Sequence, residues 1–227
     1  MTPRIAVVAP VYGNAATLRP LAQRVAAALD GRDWRLRLVI DASPDGSAAV
    51  AGALAAEDPR IAVTVLEVNG GQHAALARGL ADEASADLWV CLDADLQDPP
   101  EAVPLLLDRL AAGDVAAVFA GRRGRYESAV RRLSGGVHRR LAARLTGLPA
   151  DAGAFLAMDR VVRDAVVAAV CDAGAPSVVL AVAGAGRPVV SLPVERDRRP
   201  EGRSTWTGRT RLRQSLRSLT WALRSGR

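Results

Sequence analysis

Short runs of β-branched residues alternate along this chain with longer stretches rich in alanine and leucine, and that alternation is its most constraining feature. Ile5–Val8, Leu36–Ile40, Ile61–Leu66, Leu88–Leu92 and Val115–Phe119 read as strands. They are almost continuously apolar, as strands covered on both faces must be. Between them, residues 15–29, 46–56, 72–85 and 100–112 carry helical spacing. Leu18, Leu21, Val25 and Leu29 make one apolar stripe, with Arg19 and Arg24 off it. Strand–helix repetition predicts an α/β fold: a doubly wound, parallel sheet with helices on both faces. Such sheets bind ligands beyond the carboxyl ends of their strands, so the residues following each strand are the candidates for function.

The 227 residues suit one domain, and half of them are hydrophobic, enough for a real core. Every one of the 30 basic residues is arginine. Residues 1–120 carry a net charge of −7 and residues 121–227 a net charge of +13, which points to an anionic partner held over the second half. Cys91 and Cys171 are too few for a disulfide framework or a thiolate metal site, and their apolar surroundings predict two buried thiols. No signal-peptide layout is visible, and Ala173 to Gly186 is too short to span a bilayer, so a cytoplasmic, soluble chain is expected. Aromatic residues are too sparse for a base-stacking platform, and nucleic acid is not the expected partner.

Four strand ends carry unusual residues. They are Pro10-Val11-Tyr12-Gly13-Asn14, Asp41-Ala42-Ser43-Pro44-Asp45-Gly46-Ser47, Asn69-Gly70-Gly71-Gln72-His73 and Asp93-Ala94-Asp95-Leu96-Gln97-Asp98-Pro99-Pro100. No P-loop and no dinucleotide glycine fingerprint is present. Asp93 and Asp95 point to the same side if strand geometry persists to the end of the fourth run. A carboxylate pair of this kind holds Mg²⁺ or Mn²⁺ by one or two oxygens and leaves other positions to phosphate and water. An isolated Asp-x-Asp also serves as a solvated or capping pair. Its place here, after a buried strand and before a Pro-Pro helix start, favours the metal. His73 begins or caps a helix near this region.

Beyond residue 121 the pattern loosens. A basic helical stretch runs to about Arg144, residues 151–160 read as a short strand entering a helix, and Arg187–Val194 reads as a strand followed by a charged loop over 195–206. From Arg209 to Arg224, Leu212, Leu216, Leu219 and Leu223 share one helical face flanked by arginines, with Trp221 beside them. A helix of that composition can lie in a membrane interface or pack on the protein's own core. The domain is drawn at 1–206, with 207–227 as a basic amphipathic C-terminal helix.

PVYGNAATL, DASPDGS, NGGQHAALARGL, CLDADLQDPPE, GRRGR, DAGAFLAMDR and RPEGRST occur here in the order seen in family-two glycosyltransferases of the GT-A fold. The chain resembles the polyprenyl-phosphate branch of that family, which includes dolichol-phosphate mannosyltransferase and bacterial undecaprenyl-phosphate sugar transferases. The resemblance implies a metal-dependent, inverting transfer of a sugar from a nucleotide-diphosphate sugar to a polyprenyl phosphate. It puts Pro10, Tyr12, Asn14, Asp41, Asn69, Asp93 and Ala94 around the nucleotide, and Asp93, Asp95 and Gln97 around Mg²⁺ or Mn²⁺. Arg122 and Arg125 would meet phosphate oxygens, and Ser134, Arg199, Arg203 and Ser204 would lie on the acceptor side. A UDP-sugar is preferred over a GDP-sugar because Gly71-Gln72-His73 resembles bacterial members that use uridine donors.

Three departures from the family pattern bear on the chemistry. Asn14 stands where a glutamate is common, Ile40 replaces the first of two adjacent aspartates, and Gly153-Ala154-Phe155-Leu156 replaces Gly-Asp-Phe-Arg, removing the carboxylate proposed as base. Asp151, three residues away from Ala154, is the candidate to replace it. A phosphate monoester has a second pKa of about 6 and is already dianionic at neutral pH, so it attacks without surrendering a proton, whereas a hydroxyl needs a base. Loss of the carboxylate is thus more tolerable for a lipid-phosphate acceptor than for an alcohol, and the polyprenyl phosphate that the resemblance implies stays the expected acceptor, with contact to the inner face of a membrane. A soluble small-molecule acceptor and a catalytically silent nucleotide-sugar-binding protein are the alternatives.

Overall fold

The computed structural model describes residues 2–123 and 147–197, with Arg122 and Arg123 described by backbone only. Among the described residues seven strands form one sheet: β1 (Arg4–Val11), β2 (Asp33–Asp41), β3 (Ile61–Leu66), β4 (Leu88–Cys91), β5 (Ala117–Arg123), β6 (Leu156–Met158) and β7 (Val189–Glu195). Their order is β3-β2-β1-β4-β6-β5-β7. Every pairing is parallel except those of β6, which runs antiparallel between β4 and β5.

The helices are α1 (Ala15–Ala28), α2 (Ser47–Glu57), α3 (Gln72–Asp82), α4 (Val103–Ala111), α5 (Arg160–Val167) and α6 (Val178–Gly184). Successive residues of β1 serve opposite layers. Ile5, Val7, Ala9 and Val11 pack with Leu18, Leu21 and Val25 of α1, Leu54 of α2 and Leu106 of α4. Ala6 and Val8 pack on the other face with Leu76 and Leu80 of α3, Val162 of α5 and Val182 of α6. A strand with apolar partners on both sides has no polar position to spare, which is why these runs read as unbroken hydrophobic stretches. The expected doubly wound, mostly parallel sheet is the observed one.

From β1 the chain moves outward to β2 and β3, then returns to lay β4 on the opposite side of β1. The strand order therefore reverses between β1 and β4, and doubly wound sheets take their ligands at the carboxyl ends that flank such a reversal. Here those ends are residues 12–14 and 92–98.

Two expectations need correction. Cys91 is buried, with its thiol pushed well above the usual range by burial and by Asp93, but Cys171 is exposed. It sits in the π-helical turn Ala168–Asp172, which contributes no buried residue. Strand geometry also does not reach Asp93. β4 ends at Cys91, Leu92 N–H still donates to Val8 O at 3.2 Å, and the next amide, that of Asp93, turns to the Asp98 carboxylate at 3.4 Å. A side chain takes over from the sheet, so Asp93 and Asp95 project from a turn. No helix among the described residues is long and apolar enough to cross a membrane. The basic stretch to Arg144 and the helix expected over 207–227 lie outside the described residues.

Candidate functional site

The loop after β1 is fixed by the loop after β2. Gly13 N–H donates to Ser43 Oγ at 2.8 Å, Asn14 N–H to Ser47 Oγ at 3.2 Å and Ala15 N–H to Asp45 Oδ2 at 3.0 Å. The Ser43 and Ser47 hydroxyls both donate to Asp45 Oδ1, at 2.7 and 2.5 Å. Burial pushes the Asp45 carboxyl up, but hydrogen bonds from Ser47, Ser43 and the Ala15 and Ser47 amides outweigh it, and the group settles at about 2. Gly13 has φ +70°, a conformation that favours glycine at this turn. Tyr12 is exposed at 43%, Pro10 is half-buried in β1, and Asn14 Oδ1 accepts from Tyr12 N–H.

Asp41, the last residue of β2, is buried, and both of its carboxylate oxygens are engaged. They accept from Gly70 N–H at 2.7 Å and Gly71 N–H at 2.8 Å, while Asn69 Nδ2 donates to Asp41 O at 2.9 Å. The carboxylate thus sits at the positive start of α3, where a helix dipole favours an anion. Its visible work is to hold the β3–α3 loop against β2. The first residue of α3, Gln72, donates from Nε2 to Asp93 Oδ1 at 2.5 Å. Next to it, His73 has an Nδ1 that is shut off from solvent and bonds to no described residue, and burial lowers its imidazole to about 4, keeping it neutral.

The loop after β4 is tied to both sides of the reversal. Thr17 Oγ1 of α1 donates to Ala94 O at 2.6 Å, so the β1 and β4 ends share a hydroxyl bridge. Gln97 N–H donates to Asp95 Oδ1 at 3.0 Å, and Leu96 adopts φ +62°, a left-handed conformation uncommon for a branched residue and one that costs backbone strain. Asp98 is 2% exposed and accepts from Arg196 Nε at 2.7 Å. Arg196 Nη2 also lies 3.6 Å from Asp93 Oδ2, within ion-pair range. Asp98 belongs to an unusual strand end and Arg196 to a charged loop, but the sequence did not reveal their pairing, because the partners are 98 residues apart.

Two carboxylates within three residues make a hard-oxygen donor set of the kind Mg²⁺ and Mn²⁺ accept. Among the described residues no group of three or more His, Cys, Asp or Glu side chains is placed to hold a metal ion. That fits an ion held by one or two protein oxygens with phosphate and water completing its shell, and it does not fit a closed structural site. Gln97 is half-buried two residues beyond Asp95, with its backbone carbonyl accepting from Asp197 N–H at 2.9 Å.

Asp151 comes to the far end of β5. A side chain at Gly121 would collide with it, since the missing Cβ would fall 2.2 Å from Asp151 Oδ2 and 2.3 Å from Ser191 Oγ. Glycine at 121 therefore makes the notch in which this carboxylate sits, one residue before Arg122. Ala154 and Phe155 are buried in the core. Arg125, Ser134, Arg199, Arg203 and Ser204 lie outside the described residues.

Carboxylates and small polar loops gather at the strand-order reversal of a doubly wound sheet, where such α/β domains take their ligands. The chain belongs to glycosyl transferase family 2, whose model matches residues 6–160. It is 39% identical over 147 residues to an undecaprenyl-phosphate 4-deoxy-4-formamido-L-arabinose transferase from Shewanella sediminis, covering 63% of this chain and 44% of that protein. It is 40% identical over 171 residues to the transferase of the same name from Pseudomonas aeruginosa, covering 73% and 49%. The chain thus spans about half the length of the curated relatives it matches. Glucosyl-3-phosphoglycerate synthase from Mycobacterium tuberculosis, solved with Mn²⁺, UDP and phosphoglyceric acid, superposes with a TM-score of 0.69 at 21% identity, over 99% of this chain and 78% of that one. That likeness shows a shared fold.

Proposed function

We propose that this domain transfers a sugar, with inversion, from a nucleotide-diphosphate sugar to a polyprenyl phosphate. The observation that carries the reading is the arrangement at the β1/β4 reversal. Asp93 is held by Gln72, the two loops are bridged by Thr17, and the β1 loop is held by the Ser43–Asp45–Ser47 latch. The nucleotide would lie over Pro10, Tyr12, Asn14, Asp41, Asn69 and Ala94, with the diphosphate towards Asp93 and Asp95. Asp93, Asp95 and Gln97 would hold the divalent ion, Mg²⁺ or Mn²⁺, which when bound neutralises charge on the departing diphosphate. Because both oxygens of Asp41 are engaged by Gly70 and Gly71, its part is to shape the pocket floor. The curated relatives' undecaprenyl-phosphate names support the lipid acceptor, and UDP in the structural neighbour supports a uridine donor.

The acceptor phosphate would enter over the basic second half, where Arg122, Arg125, Ser134, Arg199, Arg203 and Ser204 are the candidates to receive it. Already dianionic at neutral pH, it attacks the anomeric carbon from the face opposite the leaving diphosphate and needs no base. The basic segments would bring the protein to the inner face of a membrane. Calorimetric titration with UDP and with GDP, each with and without Mn²⁺, tests the donor site. Mn²⁺-dependent binding of UDP that is lost in Asp95→Ala is expected, and no binding of either nucleotide refutes the reading.

A second reading rests on Asp151. Its carboxylate lies beside Gly121 of β5 and would serve as a general base, which a hydroxyl acceptor needs. Asp151→Asn separates the two: transfer to a lipid phosphate survives the change, whereas transfer to a soluble hydroxyl acceptor falls by about 10²–10⁴-fold.

A further inference from the structure

The segment leaving β7 is fastened to the Asp93–Asp98 loop at three points. Arg196 Nε donates to Asp98 Oδ1 at 2.7 Å, Arg196 Nη2 stands 3.6 Å from Asp93 Oδ2, and Asp197 N–H donates to Gln97 O at 2.9 Å. Arg24 of α1 closes the outer side by pairing with both Asp197, at 2.8 Å, and Glu101, at 2.6 Å. The Arg196 and Asp98 side chains are only 18% and 3% exposed. Withdrawing a charged pair from water is costly and often adds no stability over apolar packing. The placement of Arg196 therefore calls for a role in the chemistry of the loop it holds.

Arginine cannot ligate a metal and does not lose its charge. Beside Asp93 it is a fixed cation at one of the oxygens that, on the function proposed above, would receive a divalent ion. A bare cation arriving at Asp93 meets repulsion from the guanidinium as well as attraction from the carboxylate. A diphosphate is attracted by both the guanidinium and the ion. We propose that Arg196 is a positioning residue and resident counter-ion of the donor site: it holds Asp93 and Asp98 and, by opposing the lone divalent ion while favouring the diphosphate, makes ion and nucleotide bind together. This rests on the assignment of the ion to Asp93 and Asp95.

The two effects have opposite signs, and that distinguishes them from simple damage to the loop, which weakens every ligand. Arg196→Gln keeps a donor for Asp98 but removes the charge. Free Mn²⁺ counted by electron paramagnetic resonance, without nucleotide, is expected to show at least tenfold tighter Mn²⁺ binding in this variant. UDP titrated at saturating Mn²⁺ is expected to bind at least tenfold more weakly. Arg196→Lys, which retains the charge, is expected to stay near the wild type in both. Asp98→Asn leaves Arg196 less neutralised and shifts both constants the other way, so the test stands even if Arg196→Gln folds poorly. Mn²⁺ binding that is unchanged or weaker in Arg196→Gln, or unchanged in Asp98→Asn, overturns the proposal. Mn²⁺ binding that persists in Asp95→Ala overturns instead the ion assignment on which it rests.

Discussion

Replacing Gly79 by alanine measures how tightly α3 is seated on the sheet, and the site depends on that seating. The amides of Gly70 and Gly71 that grip Asp41 lead directly into α3, and its first residue, Gln72, grips Asp93. A Cβ at Gly79 would lie 2.4 Å from Val8 Cγ1, 2.8 Å from Val39 Cγ2 and 3.4 Å from Arg37 Cγ. Both valines are fully buried in β1 and β2, and β-branched side chains have little χ1 freedom with which to turn aside. In an open helix, glycine to alanine gains up to about 1 kcal/mol. Forcing a methyl group into a closed core costs about 1–3 kcal/mol, and two contacts below 3 Å place this site at the upper end. The packing penalty wins, and a net loss of about 2 kcal/mol is expected. Gly52 in α2 supplies the control: it is exposed, with no atom within 4 Å of the missing Cβ, so its alanine variant gains about 0.5–1 kcal/mol. Urea denaturation followed by circular dichroism reads both values, with unchanged slopes showing that only stability moved. A Gly79→Ala protein as stable as the wild type would refute the packing reasoning.

The Asp45 latch makes stability depend on acidity. Its folded pKa of about 2 lies below the ordinary 3.8, so its contribution is present above about pH 4 and is lost as pH falls through 2. The full shift is equivalent to about 2 kcal/mol, which solvent screening at this exposed carboxylate reduces to about 1 kcal/mol. Asp45→Asn should therefore flatten the wild-type stability profile between pH 5 and 2, and an identical profile argues against the latch. Glu83 accepts from Arg37 Nε at 2.9 Å and Nη2 at 2.6 Å in a pair whose side chains are 4% and 14% exposed. Glu83→Ala leaves that arginine uncompensated and should cost about 3–5 kcal/mol, read as a lowered unfolding midpoint. A loss below 1 kcal/mol would mean that water reaches Arg37.

Local periodicity made much of the fold legible, because a strand buried on both faces and an amphipathic helix each leave a signature within a few residues. Even the three-residue β6 falls within residues 151–160, which read as a short strand entering a helix. The loops after β1, β2 and β4 stood out by composition. What escaped is what depends on distant partners. Arg196 finds Asp98 across 98 residues, and Ser43 finds Gly13 across 30, and nothing near either residue foretells its mate. The continuation of β4 to Asp93 looked natural from the apolar run, but β6 reaches only as far as Leu156, opposite Cys91, although β1 runs on to Val11. Here the Asp98 carboxylate takes the amide that a neighbouring strand would have taken. Cys171 looked buried because Val170 and Ala169 precede it, yet the π-helical turn carries it to the surface.

Transfer itself is the most direct test of the proposed function. The full chain would be incubated with Mn²⁺, undecaprenyl phosphate and a panel of radiolabelled UDP- and GDP-sugars, and label extractable into organic solvent would be counted for wild type and Asp95→Ala. One UDP-sugar giving a lipid-soluble product in the wild type, with the product absent in Asp95→Ala, is the expected result. Nucleotide binding with no lipid-soluble label from any donor, or equal label in the two proteins, would contradict it.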